Sequence, residues 1–186
     1  MPHLTEQRIP APTLETERLI LRPWRMSDAD DLFEYSSDRA VSRLAMWLPD
    51  NSIEETMRGI ADAIHRYENE SWIYLGIELK EEAKLVGSVG YAQWNRTDNR
   101  ADLGFALNKN YWNRGIVTEA AARIITFGWE EMQLHRIEAN CIASNVASIA
   151  VLTKLGFERE GLRKEAARLD GVYEDVIHWR QLGDHK

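Results

Sequence analysis

The alternation of apolar and polar positions divides the chain into short strands and a few amphipathic helices. Glu17 to Pro23 (ERLILRP) sets Leu19 and Leu21 on one face and Ile20 on the other, as a half-buried strand does. Trp72–Leu79 and Leu85–Tyr91 also alternate, and the polar turn Glu81–Lys84 between them predicts a hairpin. Ala101–Leu107, Arg136–Ile142, Phe157–Leu162 and Val172–Trp179 read as further strands. Helices interrupt them. Ser27 is expected to cap one whose first turn holds Asp28, Asp30 and Asp31, charges that the helix dipole favours. Asp38 opens a short second helix through Val41 and Leu44. Ser52-Ile53-Glu54-Glu55 has the form of a capping box and predicts a helix to Tyr67, with an apolar stripe of Ile53, Met57, Ile60 and Ile64. Two more helices are predicted, one near Val117–Met132 and one over Asn145–Leu155 that Gly156 stops. Residues 1–12, with three of the five prolines, read as a flexible arm, and 13–186 as one mixed α/β domain.

Composition narrows the function classes. A chain of 186 residues, 44% hydrophobic and 28% charged, suits one globular domain and lacks the signature of disorder. The net charge of −7 argues against a surface that coats nucleic acid and is compatible with an amine or a basic partner. The single cysteine, Cys141, excludes an internal disulfide framework and reads as a small buried residue; His135 reads as structural. With no signal-peptide pattern and no long apolar run, a soluble, cytoplasmic protein without a membrane partner is expected.

Two stretches carry candidate chemistry. From Leu103 to Glu119 (LGFALNKNYWNRGIVTE) a strand runs through a polar loop into a helix, with Gly115 at the helix mouth and Arg114 beside it. The first amides of such a helix have no intrahelical acceptor and can hold a phosphate or pyrophosphate. The stretch has neither the P-loop nor the dinucleotide glycine pattern, so on the residues alone a plain joint and an anion cradle both stand. From Ile137 to Phe157, Ser144 or Asn145 can cap a helix that keeps Asn145, Ser148 and Leu152 near one face. Capping alone and ligand binding are equally open there.

A family resemblance decides between these readings. Trp112-Asn113-Arg114-Gly115-Ile116-Val117 is similar to the [QR]-x-x-G-x-[GA] pyrophosphate loop of the GNAT acetyltransferase superfamily, with Trp112 and Val117 departing from it. YWNRGIVTEA, and TERLILRP followed by SDADDLFEYSSD, resemble the RimJ/RimL-type branch of ribosomal-protein N-acetyltransferases; Asn145, Ser148 and Leu155-Gly156-Phe157 resemble the family's N-x-x-[SA]…LGF signature. The resemblance implies the GNAT fold, a twisted mixed sheet of about seven strands flanked by helices and splayed near Leu107. It implies acetyl-CoA as co-substrate, no metal, and acetyl transfer to an amine. Phe105, Ala106 and Leu107, then Asn113, Arg114, Gly115, Ile116, Val117 and Thr118, with Asn145 and Ser148, would bind acetyl-CoA, Asn145 through the pantetheine arm and Ser148 beside the thioester sulfur. Asn140 stands where some relatives keep a glutamate base, and Leu152 where many keep a tyrosine acid.

Without that pair, Ser148 would assist the departing thiolate. Proximity and an amine of pKa about 7.7–8.0 would supply most of the rest, with water relaying the proton to Glu138, Glu174 or Asp175. Trp24, Trp47 and Trp94, together with Tyr173 and Asp175, are the candidate acceptor-binding residues, although loop aromatics cover core edges at least as often. The implied acceptor is the N-terminal amine of a ribosomal or other protein; a small amine, an amino-acid conjugate or an antibiotic stays open, as does a non-catalytic acyl-CoA-binding module. No nucleic-acid partner is expected, and a homodimer is left open.

Overall fold

The computed structural model describes residues 8–183. Eight strands form one sheet in the order β1-β2-β3-β4-β5-β6-β8-β7. They are β1 (Leu14–Glu15), β2 (Leu19–Arg22), β3 (Tyr74–Leu79), β4 (Lys84–Asn95), β5 (Arg100–Leu107), β6 (Arg136–Ile142), β7 (Glu158–Leu169) and β8 (Val172–Leu182). Neighbours pair antiparallel except β5 and β6, which run parallel across the helical crossover between them. The helices are α1 (Ala29–Ser36), α2 (Arg39–Leu44), α3 (Ile53–Asn69), α4 (Ile116–Glu130) and α5 (Val146–Lys154).

The sheet is covered on both faces, so β4 is buried without interruption from Leu85 to Tyr91, where the alternation predicts one buried face. Ala120, Ala121, Ile124 and Phe127 of α4 pack with Leu75, Val89 and Leu103 in the main cluster. Leu32 and Tyr35 of α1, Val41 of α2 and Ile60 of α3 form a second cluster with Leu85 and Ala106. Each fully buried aliphatic side chain stabilises the fold by roughly 1.5–3 kcal/mol before entropy is counted.

The expected mixed sheet of about seven strands is present with eight, Leu14–Glu15 adding a short edge pair to β2, and three local expectations are corrected. Ser27 does not cap α1; it lies in a 3-10 turn, Met26–Asp28. Asp28 does the work at that joint, accepting the buried Arg22 guanidinium at 2.8 and 2.9 Å and the Arg25 amide at 2.7 Å, so an ion pair bolts β2 to α1. The Ser52–Glu55 capping box is not formed, since Glu55 reaches instead to the Asn51 backbone and side-chain amides at 2.7 and 3.2 Å. On α3 the buried face is Thr56, Ile60, Ala63 and Tyr67, and Met57 is exposed. Within the expected arm, residues 1–7 lie outside the described residues; Ile9 donates its amide to Ser71 Oγ at 3.0 Å and packs with Ala11 against the core.

Candidate active site

The site begins where two parallel strands part. β5 and β6 pair only from Arg100↔Arg136 to Leu103↔Ala139. Beyond that point Gly104–Leu107 stays with β4, while Asn140–Ile142 follows β8. The expected splay near Leu107 therefore opens earlier, directly after Leu103. Asn108 N–H donates to the Val86 carbonyl at 2.8 Å, which fixes the alternation of the β4–β5 ladder. Phe105 and Leu107 consequently turn their backbone groups away from β4 and into the seam. The Leu107 carbonyl accepts the Trp112 indole N–H at 2.8 Å, leaving the Phe105 and Leu107 amides as donors facing a ligand.

The loop after β5 is shaped by its asparagines. Asn108 Oδ1 accepts the Asn110 amide at 3.0 Å, and Asn108 Nδ2 donates to Glu34 at 2.9 Å. Asn113 (φ 61°) and Gly115 (φ 75°) are both left-handed, so the chain curls before α4 and successive amides converge. The first bond of the helix is Glu119 N–H to the Gly115 carbonyl at 3.1 Å, and the amides ahead of it have no helical acceptor. A Cβ on Gly115 would meet only Arg18 Nη2, at 3.7 Å, so the mouth of the helix is open. Arg18 is a residue the sequence reading missed. It bonds Glu119 through Nε at 2.7 Å and the Arg114 carbonyl through Nη1 at 3.1 Å, placing a second guanidinium at the cradle. The Arg114 guanidinium itself lies over the Tyr111 ring, 5.0 Å from its centroid.

A cavity of about 290 Å³ follows the seam, walled by Phe105–Leu107, by Trp112, Asn113 and Gly115–Thr118, by Val41 of α2, and by Asn145 and Ser148 of α5. It brings together every sequence-predicted acetyl-CoA residue except the Arg114 side chain. Free amides at a helix mouth suit a pyrophosphate, and seam-facing backbone groups suit an amide-bearing arm, so the residues fit acetyl-CoA. Asn145 is more committed than expected: Oδ1 accepts the Ser148 amide at 3.0 Å, and Nδ2 donates to the Leu44 carbonyl at 3.3 Å. Ser148 Oγ makes no hydrogen bond among the described residues.

A second cavity, of about 690 Å³, lies on the α1–α3 side of the seam. It shares Leu44, Ala45, Phe105 and Ser148 with the first. Trp24, Trp47, Trp72 and Tyr74 supply its aromatic wall; Trp72 stacks on Tyr74 with centroids 5.8 Å apart, and Trp24 meets both edge-on at 6.2 Å. Tyr74 lies across the neighbouring strand because Gly104 has no side chain; a Cβ there would touch the ring at 3.3 Å. Asn140 lines the cavity beyond the end of the ladder, and Leu152, where a tyrosine acid was looked for, is buried in its wall.

Three carboxyl groups line this cavity, Asp50, Glu55 and Asp102, and Asp102, which the sequence reading also missed, stands at the end of the seam. It stands opposite Glu138 on the parallel strand and lines the cavity. Burial, then the adjacent Glu138 carboxylate, raises the Asp102 pKa above the usual aspartate range. Burial also opposes ionisation of Glu138, but hydrogen bonds from Arg136 and Arg100, each at 2.7 Å, outweigh it and hold that carboxyl low. The three acids expected to take a relayed proton are engaged elsewhere: Glu138 as described, Glu174 with Arg43 and Ser144, and Asp175 with the Glu165 amide at 2.8 Å. Asp102 was legible in principle, as a lone carboxylate inside the apolar run ADLGFAL.

Three predicted acceptor residues fall outside both cavities. Trp94 sits beneath Arg96 at the far end of β4, Tyr173 is 60% exposed beside Arg168, and Asp175 faces the β7–β8 hairpin. Neither Trp94, next to a predicted loop, nor Tyr173 and Asp175, on the predicted strand Val172–Trp179, carried a sequence sign of which side of the sheet it occupies. Cys141 is buried and accepts the Trp179 indole N–H at 3.3 Å; burial pushes its thiol pKa up. Among the described residues no group of three or more His, Cys, Asp or Glu is arranged to hold a metal, and no helix is long and apolar enough to cross a membrane.

A parallel seam ending at a helix mouth, with a second cavity behind it, suits an acyltransferase of the acyl-CoA-dependent kind. The acetyltransferase (GNAT) domain matches residues 18–158, and the chain belongs to that family: it is an N-acetyltransferase. It is 32% identical over 171 residues to the uncharacterized N-acetyltransferase p20 of Bacillus licheniformis, covering 91% of this chain and 96% of that one. It is 26% identical over 177 residues to the [ribosomal protein uS5]-alanine N-acetyltransferase of Escherichia coli, covering 91% and 90%. The crystal structure of a ribosomal-protein-S5-alanine acetyltransferase from Vibrio fischeri superposes with a TM-score of 0.79 at 27% identity, over 94% of this chain and 98% of that one.

Proposed function

We propose that acetyl-CoA enters the seam between β5 and β6 and that its acetyl group passes to the N-terminal amine of a protein, held in the aromatic cavity. The observation that carries this reading is the shared boundary of the two cavities at Leu44, Ala45, Phe105 and Ser148. A donor in one and an amine in the other meet there. The named acceptors of the uS5-alanine relatives support a protein N-terminus, and with it a cytoplasmic site of action.

Bound acetyl-CoA supplies an activated acyl thioester. The amides of Arg114 to Thr118, with the dipole of α4, hold the pyrophosphate. The Phe105 N–H, at the boundary of the two cavities, donates to the carbonyl oxygen as negative charge builds on it, and the Leu107 N–H, two residues further along the strand, donates to the arm of the donor. Asp102, as the carboxylate, accepts one proton from the attacking amine as the N–C bond forms. Ser148 Oγ–H donates to the sulfur as the C–S bond breaks, stabilising the thiolate, which is then protonated from solvent. Asn145 holds the Ser148 turn against Leu44, so both sides of the junction stay in register.

A mass-spectrometric screen of free-N-terminal peptides, small amines and antibiotics with acetyl-CoA tests the reading. Acetylation at a peptide α-amine is the expected result. Turnover confined to small amines would turn the assignment to a small-molecule acceptor. Binding of acetyl-CoA without turnover on any amine would mark a non-catalytic module.

A further inference from the structure

An ion pair ties the mouth of α4 to the start of β2. Glu119, in the first turn of α4, uses both carboxylate oxygens. Oε1 accepts the Thr16 hydroxyl at 2.6 Å and the Arg18 amide at 3.1 Å; Oε2 accepts Arg18 Nε at 2.7 Å and lies 2.6 Å from Nη2. The remaining guanidinium nitrogen, Nη1, donates to the Arg114 carbonyl at 3.1 Å. All three side-chain nitrogens of Arg18 are thus committed to the protein. Among the described residues that line the cavity of about 290 Å³, Gly115 is present and Arg18 is not.

The Arg114 carbonyl belongs to the peptide unit whose N–H is that of Gly115. In a trans unit the two groups point to opposite sides, so fixing the carbonyl on Arg18 turns the Gly115 N–H away from Arg18. This is the peptide most in need of an anchor. Gly115 (φ 75°) lacks the Cβ that would oppose rotation, so without a partner the unit could swing over at little cost. The anchor itself is rigid. The Arg18 carbonyl accepts the Lys80 amide at 3.0 Å, and Thr16 and Leu19 close the preceding turn with two bonds of 3.0 Å.

We infer that Arg18 is a positioning residue for the acyl donor: held by Glu119, it locks the Arg114–Gly115 peptide with its N–H turned to the pyrophosphate, and acts through that peptide rather than as a charge on the ligand. The inference rests on the pyrophosphate placement proposed above and assigns what keeps the cradle preformed. Glu119 gives it a distinctive sign. A carboxylate in the first turn of α4 repels a pyrophosphate, so by charge alone its removal would tighten binding. As the partner of Arg18 it should strengthen binding instead, because the loop is ordered before the ligand arrives.

Calorimetry with CoA and with pantetheine, which lacks the pyrophosphate, tests this on Arg18→Lys and Glu119→Gln, with thermal unfolding to follow the fold of each variant. Lysine keeps the charge but has no fork to span Glu119 and the Arg114 carbonyl; glutamine offers one acceptor oxygen where Glu119 uses two. Both variants should bind CoA about five- to tenfold more weakly, and their preference for CoA over pantetheine should shrink by a similar factor. Parental CoA affinity in Arg18→Lys would make the charge sufficient, and tighter CoA binding by Glu119→Gln would leave only Coulombic repulsion; either overturns the inference. Equal losses for CoA and pantetheine would overturn it too, as the mark of a strut that supports the whole fold. A parent that prefers CoA, with both variants keeping that preference, defeats this inference alone, whereas a parent with no preference defeats the pyrophosphate placement as well.

Discussion

Asn145 ties the two sides of the reaction junction together, accepting the Ser148 amide on one side and donating to the Leu44 carbonyl on the other. Leu44 and Ser148 line both cavities, so this one amide spans the boundary between them. Asn145→Asp keeps an oxygen for the cap but sets a carboxylate against the Leu44 carbonyl, and Asn145→Ser keeps a cap and loses the reach. Each should cost about 1–3 kcal/mol of stability, since Asn145 is only 5% exposed and a buried acceptor is left unpaired. Thermal unfolding with and without acetyl-CoA measures both effects. Two variants as stable as the parent would reduce Asn145 to an ordinary cap.

Gly115 should divide fold from binding. Its left-handed φ makes any side chain cost about 1–2 kcal/mol, although the space around the missing Cβ is open. Gly115→Ala therefore loses some stability and little affinity. Gly115→Glu adds a negative charge where the pyrophosphate is placed and should weaken acetyl-CoA binding more than tenfold by calorimetry. Equal affinity in the two variants would move the pyrophosphate away from this helix mouth.

Ser148→Ala removes a hydrogen bond that strengthens only as the thiolate departs. With about 1.5–3 kcal/mol at stake, kcat should drop roughly ten- to a hundred-fold while acetyl-CoA affinity changes much less. An unchanged kcat under rate-limiting chemistry leaves Ser148 as part of the helix and nothing more.

Asp102 should trade stability for activity. Its pKa in the folded protein is raised, so its contribution to stability is complete below the unfolded value of about 3.9 and is lost as pH rises through the folded-state pKa. Asp102→Asn should accordingly melt higher than the parent at pH 7, with the difference vanishing near pH 3. The same substitution should cut kcat/KM about a hundredfold and remove the acid limb of its pH profile, a limb placed above the ordinary aspartate range. A variant with full activity would mean that the amine gives its proton straight to water.

Local signals in the sequence were read well, and signals that depend on distant neighbours were not. Asp38 caps α2 through the Ala40 amide at 2.8 Å, and Gly156 ends α5 with φ 82°, because both effects act within a few residues. The loop from Asn108 to Gly115 was recognisable for the same reason. Ser52 and Glu55 had the spacing of a capping box, yet Asn51 offered Glu55 two competing donors. Asp102 owes its raised pKa to burial and then to Glu138, thirty-six positions away and adjacent only because β5 and β6 are parallel. Trp72 reads as the start of a strand, but it stands before β3 and belongs to the aromatic cavity wall, a place that Arg66, Tyr67 and Tyr74 assign to it. The sequence pattern specified which segments become strands; it held nothing about where two of them stop pairing.

The early end of the β5–β6 ladder leaves the sheet with an internal pair of edges, an arrangement that costs backbone hydrogen bonds between the two strands. A ligand lying in that gap acts as a substitute strand, and its binding free energy becomes folding free energy. At a hundredfold excess over its dissociation constant it would add about 2.7 kcal/mol to the unfolding free energy. On the proposed placement of acetyl-CoA in the seam, the thermal tolerance of the protein would follow the supply of its own acyl donor, and a cell depleted of it would hold the enzyme in its most fragile form.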